Sequence, residues 1–134
     1  GDDDKKYFIA RLIQAFAPGI PQVYYVGLLA GKNDLELLEN TKEGRNINRH
    51  YYTSDEIGRE IQRPLVQKLL QLFTFRNESE AFDLAGGIEV ATPDAHTIII
   101  TRYNADKSVI AEANINLLDL RYSIFENDRP VHFE

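Results

Sequence analysis

Apolar positions recur with two different periods along the chain, and the change falls near residue 80. Between Lys5 and Ala17, the residues Phe8, Ile9, Leu12, Ile13 and Phe16 follow the spacing that lines one face of an α-helix, and Pro18 closes the run. After P-G-I-P comes Q-V-Y-Y-V-G, β-branched and aromatic without clean alternation. Such a run predicts a strand over Gln22 to Val26 that is covered on both faces, as in a parallel sheet flanked by helices. Residues 28 to 52 are rich in Gly, Asn and charge, with a short helical piece around Leu35 to Leu38; loops of this length inside a compact domain are functional or disordered. Thr53-Ser54-Asp55-Glu56 has the composition of a helix N-cap, and the helical pattern runs on through Ile57 and Ile61. Pro64 restarts it, and Leu65, Val66, Leu69, Leu70, Leu72 and Phe73 predict a second apolar helix to about Asn77.

From Gly86 the period becomes two. Ile88/Val90, Ile98/Ile100, Val109/Ala111/Ala113/Ile115, Tyr122/Ile124 and Val131/Phe133 alternate with polar residues, separated by the turn sequences T-P-D-A, N-A-D-K and E-N-D-R-P. This predicts an antiparallel meander of about five strands. The expected division is 1–80, mixed helix and strand, and 81–134, all β. The first part poses a problem: a strand buried on both faces needs neighbours, and this chain does not supply them. Residues 1–80 therefore read as the last α/β units of something larger.

Composition narrows the function classes. At 134 residues and 43% hydrophobic content the chain holds about one domain with a real core. Fifteen basic against twenty-one acidic residues give a net charge of -6, which argues against a phosphate-tracking surface and so against nucleic acid. Cysteine is absent, which excludes disulfides and thiolate metal sites and favours the cytoplasm. The apolar stretches are broken by Gly and Pro well short of the ~20 residues that span a bilayer, so no membrane role is expected. The opening G-D-D-D-K-K is acidic where a secretory leader is basic; it reads either as a leftover cleavage site or as a helix start whose aspartates complement the helix dipole.

Four runs carry a resemblance: P-G-I-P-Q-V-Y-Y-V-G-L-L-A-G-K-N-D from Pro18, G-R-N-I-N-R-H-Y-Y from Gly44, R-P-L-V-Q-K-L-L from Arg63 and F-R-N-E-S-E-A-F-D from Phe75. Together they resemble the C-terminal part of the bacterial sucrose phosphorylases, a branch of the α-amylase superfamily of retaining glycoside hydrolases and transglycosidases. The resemblance is dense up to residue 85 and lies mainly in pattern beyond it. It implies an α/β barrel fragment, the last units of a (β/α)8 barrel, followed by a small all-β antiparallel domain of about five strands. Helix seven would then be Lys5 to Ala17, strand eight Gln22 to Val26 and helix eight the stretch from Pro64. The loop after strand eight, residues 28 to 52, would open on the barrel mouth where such enzymes hold their active sites.

The resemblance further implies a double displacement. An aspartate attacks the anomeric carbon, a glutamate protonates departing fructose, and phosphate accepts glucose with retention to give glucose 1-phosphate. None of the catalytic carboxylates matches a position in this chain, so no catalytic residue, metal or cofactor is assigned, and the fragment alone is expected to be inactive. Arg45 resembles the family's arginine that pairs with an aspartate and holds glucosyl hydroxyls, a task that suits a planar, multidentate guanidinium. Gly44 would give that arginine a close backbone turn. Arg49 reads as a structural ion pair or loop brace or as an acceptor or phosphate contact, and His50 as a packed or exposed ring or as such a contact; Asn33 and Asp34 read as loop braces or sugar contacts, and Tyr51 and Tyr52 as rim anchors or stacking platforms for sugar. His96 and His132 lack metal-ligand company.

Three readings stay open. The first is a portion of a sucrose phosphorylase, whose partners are sucrose, phosphate and glucose 1-phosphate. The second is a portion of a phosphorylase for another glucoside, such as a phosphorylated sucrose or glucosylglycerate, or of an amylosucrase-like transglucosidase. The third is a non-enzymatic β-rich binding module. Without neighbours for strand eight, residues 1 to 60 are expected to rearrange, lose order or self-associate, while the Pro64 helix and the β tail hold together.

Overall fold

The computed structural model describes residues 2–134, and the chain divides into two compact units: Gly1–Pro21 with Gln71–Glu134, and Gln22–Leu70. In the first unit, helix α1 (Asp2–Phe16) and the end of helix α5 (Pro64–Glu78) accompany a short 3-10 helix, Glu80–Phe82, and a five-stranded sheet. The strands are β1 (Gly87–Ala91), β2 (Thr97–Tyr103), β3 (Ile110–Asn116), β4 (Arg121–Glu126) and β5 (Arg129–Val131). Their spatial order is β1-β2-β3-β4-β5, every pair antiparallel, which is the meander that the period-two pattern predicts.

Register places the alternating set on one face. Ile88 lies opposite Arg102, Ile100 opposite Ala113, Ala113 opposite Ile124, and Ile115 opposite Tyr122. Ile100, Ala111, Ala113, Ile115 and Ile124 are buried there, while Val90, on the edge strand β1, stays largely exposed. The turns work as their sequences suggest. Asp94 accepts from the backbone N–H groups of His96 and Thr97 and from the Thr97 hydroxyl, which closes the β1–β2 connection. Asn127 and Asp128 both have positive φ (47° and 64°), the conformation that lets a two-residue hairpin follow the twist of its strands.

α1 is an integral part of this unit. Its stripe of Phe8, Ile9, Leu12, Ala15 and Phe16 is buried. Phe8 meets Tyr122 at 4.9 Å and Phe133 at 6.3 Å, Phe133 meets Phe75 at 6.3 Å, and Phe82 meets Phe75 at 5.7 Å and Phe16 at 5.0 Å. A continuous aromatic file thus joins both helices, the 3-10 helix and the sheet, and it supplies the apolar partners that hold α1 in place.

Helix α1 ends on carbonyls that have no intrahelical partner. Two buried arginines satisfy them. Arg76 donates through Nε to the Ala15 carbonyl (2.8 Å) and through Nη2 to that of Gly19 (2.7 Å). Arg102 donates through Nη1 to the carbonyls of Phe16 (3.2 Å) and Ala17 (2.7 Å) and through Nε to Gly87 (3.3 Å). Both guanidinium groups lie over the Phe82 ring, at 4.4 and 5.5 Å. Burial lowers the pKa of each, and for Arg76 the charge of Arg102 adds to that. The negative end of the α1 dipole is the compensating field.

Gly86 sits where a side chain has no room: a Cβ there would lie 1.9 Å from the Tyr103 carbonyl oxygen. Gly86→Ala is expected to cost about 1–3 kcal/mol through a forced backbone shift. Thermal unfolding would register this as a lower midpoint, and an unchanged midpoint would show that the β1–β2 end can move freely.

The strand expected at Gln22 to Val26 does not form. Tyr24 is extended (φ -70°, ψ 147°), but the chain enters helix α2 (Tyr25–Leu28) at the next residue, and no ladder among the described residues includes this segment. A strand is completed by a hydrogen-bonded neighbour, and all five strands here are used in the antiparallel sheet. The local sequence has strand character; its partner is what is missing.

Candidate functional site

The candidate site residues Asn33, Asp34, Arg45, Arg49, His50, Tyr51 and Tyr52 all lie in the unit Gln22–Leu70. Here α2 is followed by helix α3 (Leu35–Thr41), the 3-10 helix Gly44–Asn48, helix α4 (Ser54–Glu60) and the start of α5. Asp34 sets the start of α3: its Oδ1 accepts from the Leu37 backbone N–H at 2.9 Å. Thr53 starts α4 through a reciprocal capping box, its hydroxyl accepting from Glu56 N–H (3.2 Å) while Glu56 Oε2 accepts from Thr53 N–H (2.6 Å). Lys42, in the left-handed region (φ 56°), ends α3 and turns the chain into the 3-10 helix. Across this loop the Asp34 N–H donates to the Ile47 carbonyl at 2.6 Å, and Asn46 Nδ2 donates to the Thr41 hydroxyl at 2.9 Å.

His50 joins the two helix starts. Its Nδ1 lies 2.7 Å from Asp34 Oδ2 and its Nε2 lies 3.2 Å from Glu56 Oε1. Its ring is edge-on to Tyr52 at 4.6 Å, and its carbonyl accepts from the Tyr25 hydroxyl at 2.9 Å. The hydrogen bonds to Asp34 and then Glu56 raise the His50 pKa above its ordinary value. Asp34 is held below the usual carboxylate range, first by the Leu37 N–H and then by His50, and Glu56 likewise by the Thr53 N–H and then His50. The loop is therefore braced by a carboxylate–imidazole–carboxylate clasp, in which Asp34 takes the bracing part expected of it.

The other candidates are placed differently. Arg45 stands on the 3-10 helix with its side chain 66% exposed, held to Glu43 Oε2 by Nε (2.9 Å) and Nη2 (2.8 Å). Gly44 before it has open space around its α-carbon and no positive φ, so the backbone does not require glycine there. Arg49, half-buried, has a guanidinium with no hydrogen-bond or ion-pair partner among the described residues. Tyr52 closes over Gly31, whose α-carbon leaves no room for a methyl beside the Tyr52 hydroxyl, whereas Tyr51 is 74% exposed. Tyr24 and Tyr25 are partly exposed and touch each other at 4.5 Å.

Glu56 was not among the sequence candidates, and the signal for it is the T-x-x-E spacing of the capping box, which fixes where its carboxylate lies. Among the described residues no group of three or more His, Cys, Asp or Glu side chains is arranged to hold a metal ion. No helix of the described residues is long and apolar enough to cross a membrane.

No family model matches the chain. Individual relatives do. Over 134 residues it is 69% identical to the sucrose phosphorylase of Streptococcus mutans, which accounts for all of this chain and 28% of that protein. Over 101 residues, 75% of this chain and 20% of the relative, it is 52% identical to the sucrose phosphorylase of Bifidobacterium adolescentis. The crystal structure of sucrose 6F-phosphate phosphorylase from Thermoanaerobacter thermosaccharolyticum superposes with a TM-score of 0.87 at 43% identity, covering 98% of this chain and 27% of that one. The chain thus spans less than a third of the length of the relatives it matches. With sequence identity running through both units and the fold shared with a solved relative, the chain is strongly similar along its whole length to the C-terminal part of the sucrose phosphorylases, which are in the α-amylase superfamily.

Proposed function

We propose that this chain works as the C-terminal portion of a cytoplasmic bacterial enzyme that transfers glucose from sucrose to phosphate with retention, yielding glucose 1-phosphate and fructose. The observation that carries this reading is the 69% identity to a sucrose phosphorylase along the whole chain. In the intact enzyme residues 1–80 complete a (β/α)8 barrel and residues 81–134 form the small β domain behind it. Gln22 to Val26 then finds the neighbouring strands it lacks here. The carboxylates that attack and protonate the glucoside lie outside this chain, and alone it turns over nothing.

Within that enzyme Arg45 forms one wall of the glucosyl subsite. Its guanidinium is exposed, planar and, among the described residues, tethered by Glu43 alone, so it can exchange that contact for an aspartate and for sugar hydroxyls. Arg49, whose guanidinium has no partner among the described residues, is assigned to the acceptor side, where phosphate binds. His50 has both ring nitrogens engaged, and contributes by holding the loop. The test is steady-state kinetics of the intact enzyme carrying Arg45→Ala or Arg45→Lys. Hydrogen bonds from a charged donor contribute about 1.5–3 kcal/mol, so kcat/KM for sucrose is expected to fall about 10- to 100-fold in the alanine variant. Lysine, which lacks the fork, is expected to restore only part of it. Unchanged kinetics in both variants would remove Arg45 from the site. A preference for phosphorylated sucrose over sucrose would move the reading to the activity named for the solved relative.

A further inference from the structure

The His50 ring makes contacts that a neutral imidazole cannot make. Neutral imidazole has one N–H and one lone pair, yet both ring nitrogens face carboxylate oxygens, at 2.7 and 3.2 Å. The arrangement is satisfied only when both nitrogens carry protons. Each carboxylate is in turn fixed by a helix start, Asp34 by Leu37 N–H and Glu56 by Thr53 N–H. Between Asp34 and His50 lie α3, the 3-10 helix that carries Arg45, and its C-cap Arg49, closed also by the Asp34–Ile47 backbone bond.

We propose that the Asp34–His50–Glu56 clasp is a positioning device for Arg45, and that glucosyl-donor binding by the intact enzyme weakens when His50 loses its second proton. This rests on the reading of Arg45 as a glucosyl-site residue. Without that proton one of the two contacts becomes a repulsion between lone pairs. The loop then loses one of the ties that fix the 3-10 helix relative to α3 and α4.

The groups facing His50 leave it as the titrating member at neutral pH. Asp34 and Glu56 are held low, Tyr25 is pushed above its ordinary value by burial and by its tyrosine neighbours, the Tyr52 ring stands perpendicular to the imidazole, and Arg49 adjoins in sequence. Because the His50 pKa is raised, its stabilising contribution is complete below the ordinary value of 6.5 and disappears as pH climbs through the raised value. On the acid side the clasp persists until Asp34 and Glu56 protonate, below their ordinary values of 3.8 and 4.5.

The experiment compares donor KM and kcat against pH for the intact enzyme and its His50→Gln, Asp34→Asn and Arg45→Lys variants. The unsubstituted enzyme is expected to show donor KM rising about fivefold or more on the alkaline side, with a smaller change in kcat. His50→Gln should raise KM at acid pH and lack the alkaline limb; phosphate ionisation is common to both proteins and cancels in their ratio. Asp34→Asn, which keeps an N-cap oxygen for α3, should shift the limb to lower pH and serves if His50→Gln fails to fold. If Arg45→Lys leaves donor KM unchanged, the glucosyl-site reading falls, and this proposal with it. If Arg45→Lys raises KM while His50→Gln and Asp34→Asn follow the pH profile of the unsubstituted enzyme, the clasp proposal alone is overturned.

Discussion

Phe16→Ala is expected to destabilise the unit built on the sheet by about 3–5 kcal/mol, the range for deleting a buried aromatic side chain from a core. Phe16 is fully buried and stands edge-on to Phe82 at 5.0 Å. Phe82 is in turn covered by Phe75 and by the Arg76 and Arg102 guanidinium groups. The cavity would open where a helix, the 3-10 helix and two cations meet, so relaxation by one element cannot refill it. Domains of this size are stable by only about 5–15 kcal/mol, and the substitution removes a large share of that. In urea, with m of about 1–3 kcal/mol/M, the midpoint should fall by about 1–5 M at unchanged m. Ile20→Ala, at a side chain 76% exposed, is the control and should lie within about 0.5 kcal/mol of the parent. Equal midpoints for the two variants would show that the aromatic file is not what holds α1.

Arg102→Met is expected to be comparably damaging for a different reason. Methionine retains much of the volume but none of the donors, and leaves the carbonyls of Phe16, Ala17 and Gly87 without the bonds they now accept. Each buried acceptor left unsatisfied costs about 1–3 kcal/mol, so a total of about 3–5 kcal/mol is expected after some rehydration. Arg102→Lys should recover little, because one ammonium cannot span three carbonyls. The loss should be insensitive to added salt, since Arg102 is buried, 3% exposed. A substitution tolerated within about 0.5 kcal/mol would mean that these carbonyls find water instead.

These two residues also show where the sequence was readable. Phe16 falls on the helical stripe and Ile98 and Ile100 on the alternating one, and the register of β2 continues that alternation to Arg102. An arginine at the next inward position is a visible irregularity. Its helix-end partners are not visible, because the carbonyls of Phe16 and Ala17 lie 86 and 85 residues away in the chain. The same applies to Arg76, which continues an apolar helix and ends on Ala15 and Gly19.

The candidate site divides in the same way. Asp34 as a brace and Thr53 as a cap follow from local chemistry, since an N-cap acts within three residues. That His50 would bridge them does not, because Asp34 is 16 residues away and the intervening loop sets the distance. Q-V-Y-Y-V failed as a strand for the opposite reason: its local pattern is correct, but a ladder needs a partner that periodicity within the segment cannot provide.

By itself the sequence determined the helical stripe of α1, the long helix after Pro64, the five-stranded meander with its inward residues, and the resemblance to a sucrose phosphorylase. All of these rest on periods and motifs a few residues long. The tertiary structure alone decided that two arginines are buried on the end of α1, that Gln22 to Val26 has no ladder, and that His50 faces two carboxylates at once. Those outcomes depend on which polar groups meet after long stretches of chain have folded, and on how far each is removed from water; neither is encoded in the spacing of any one segment.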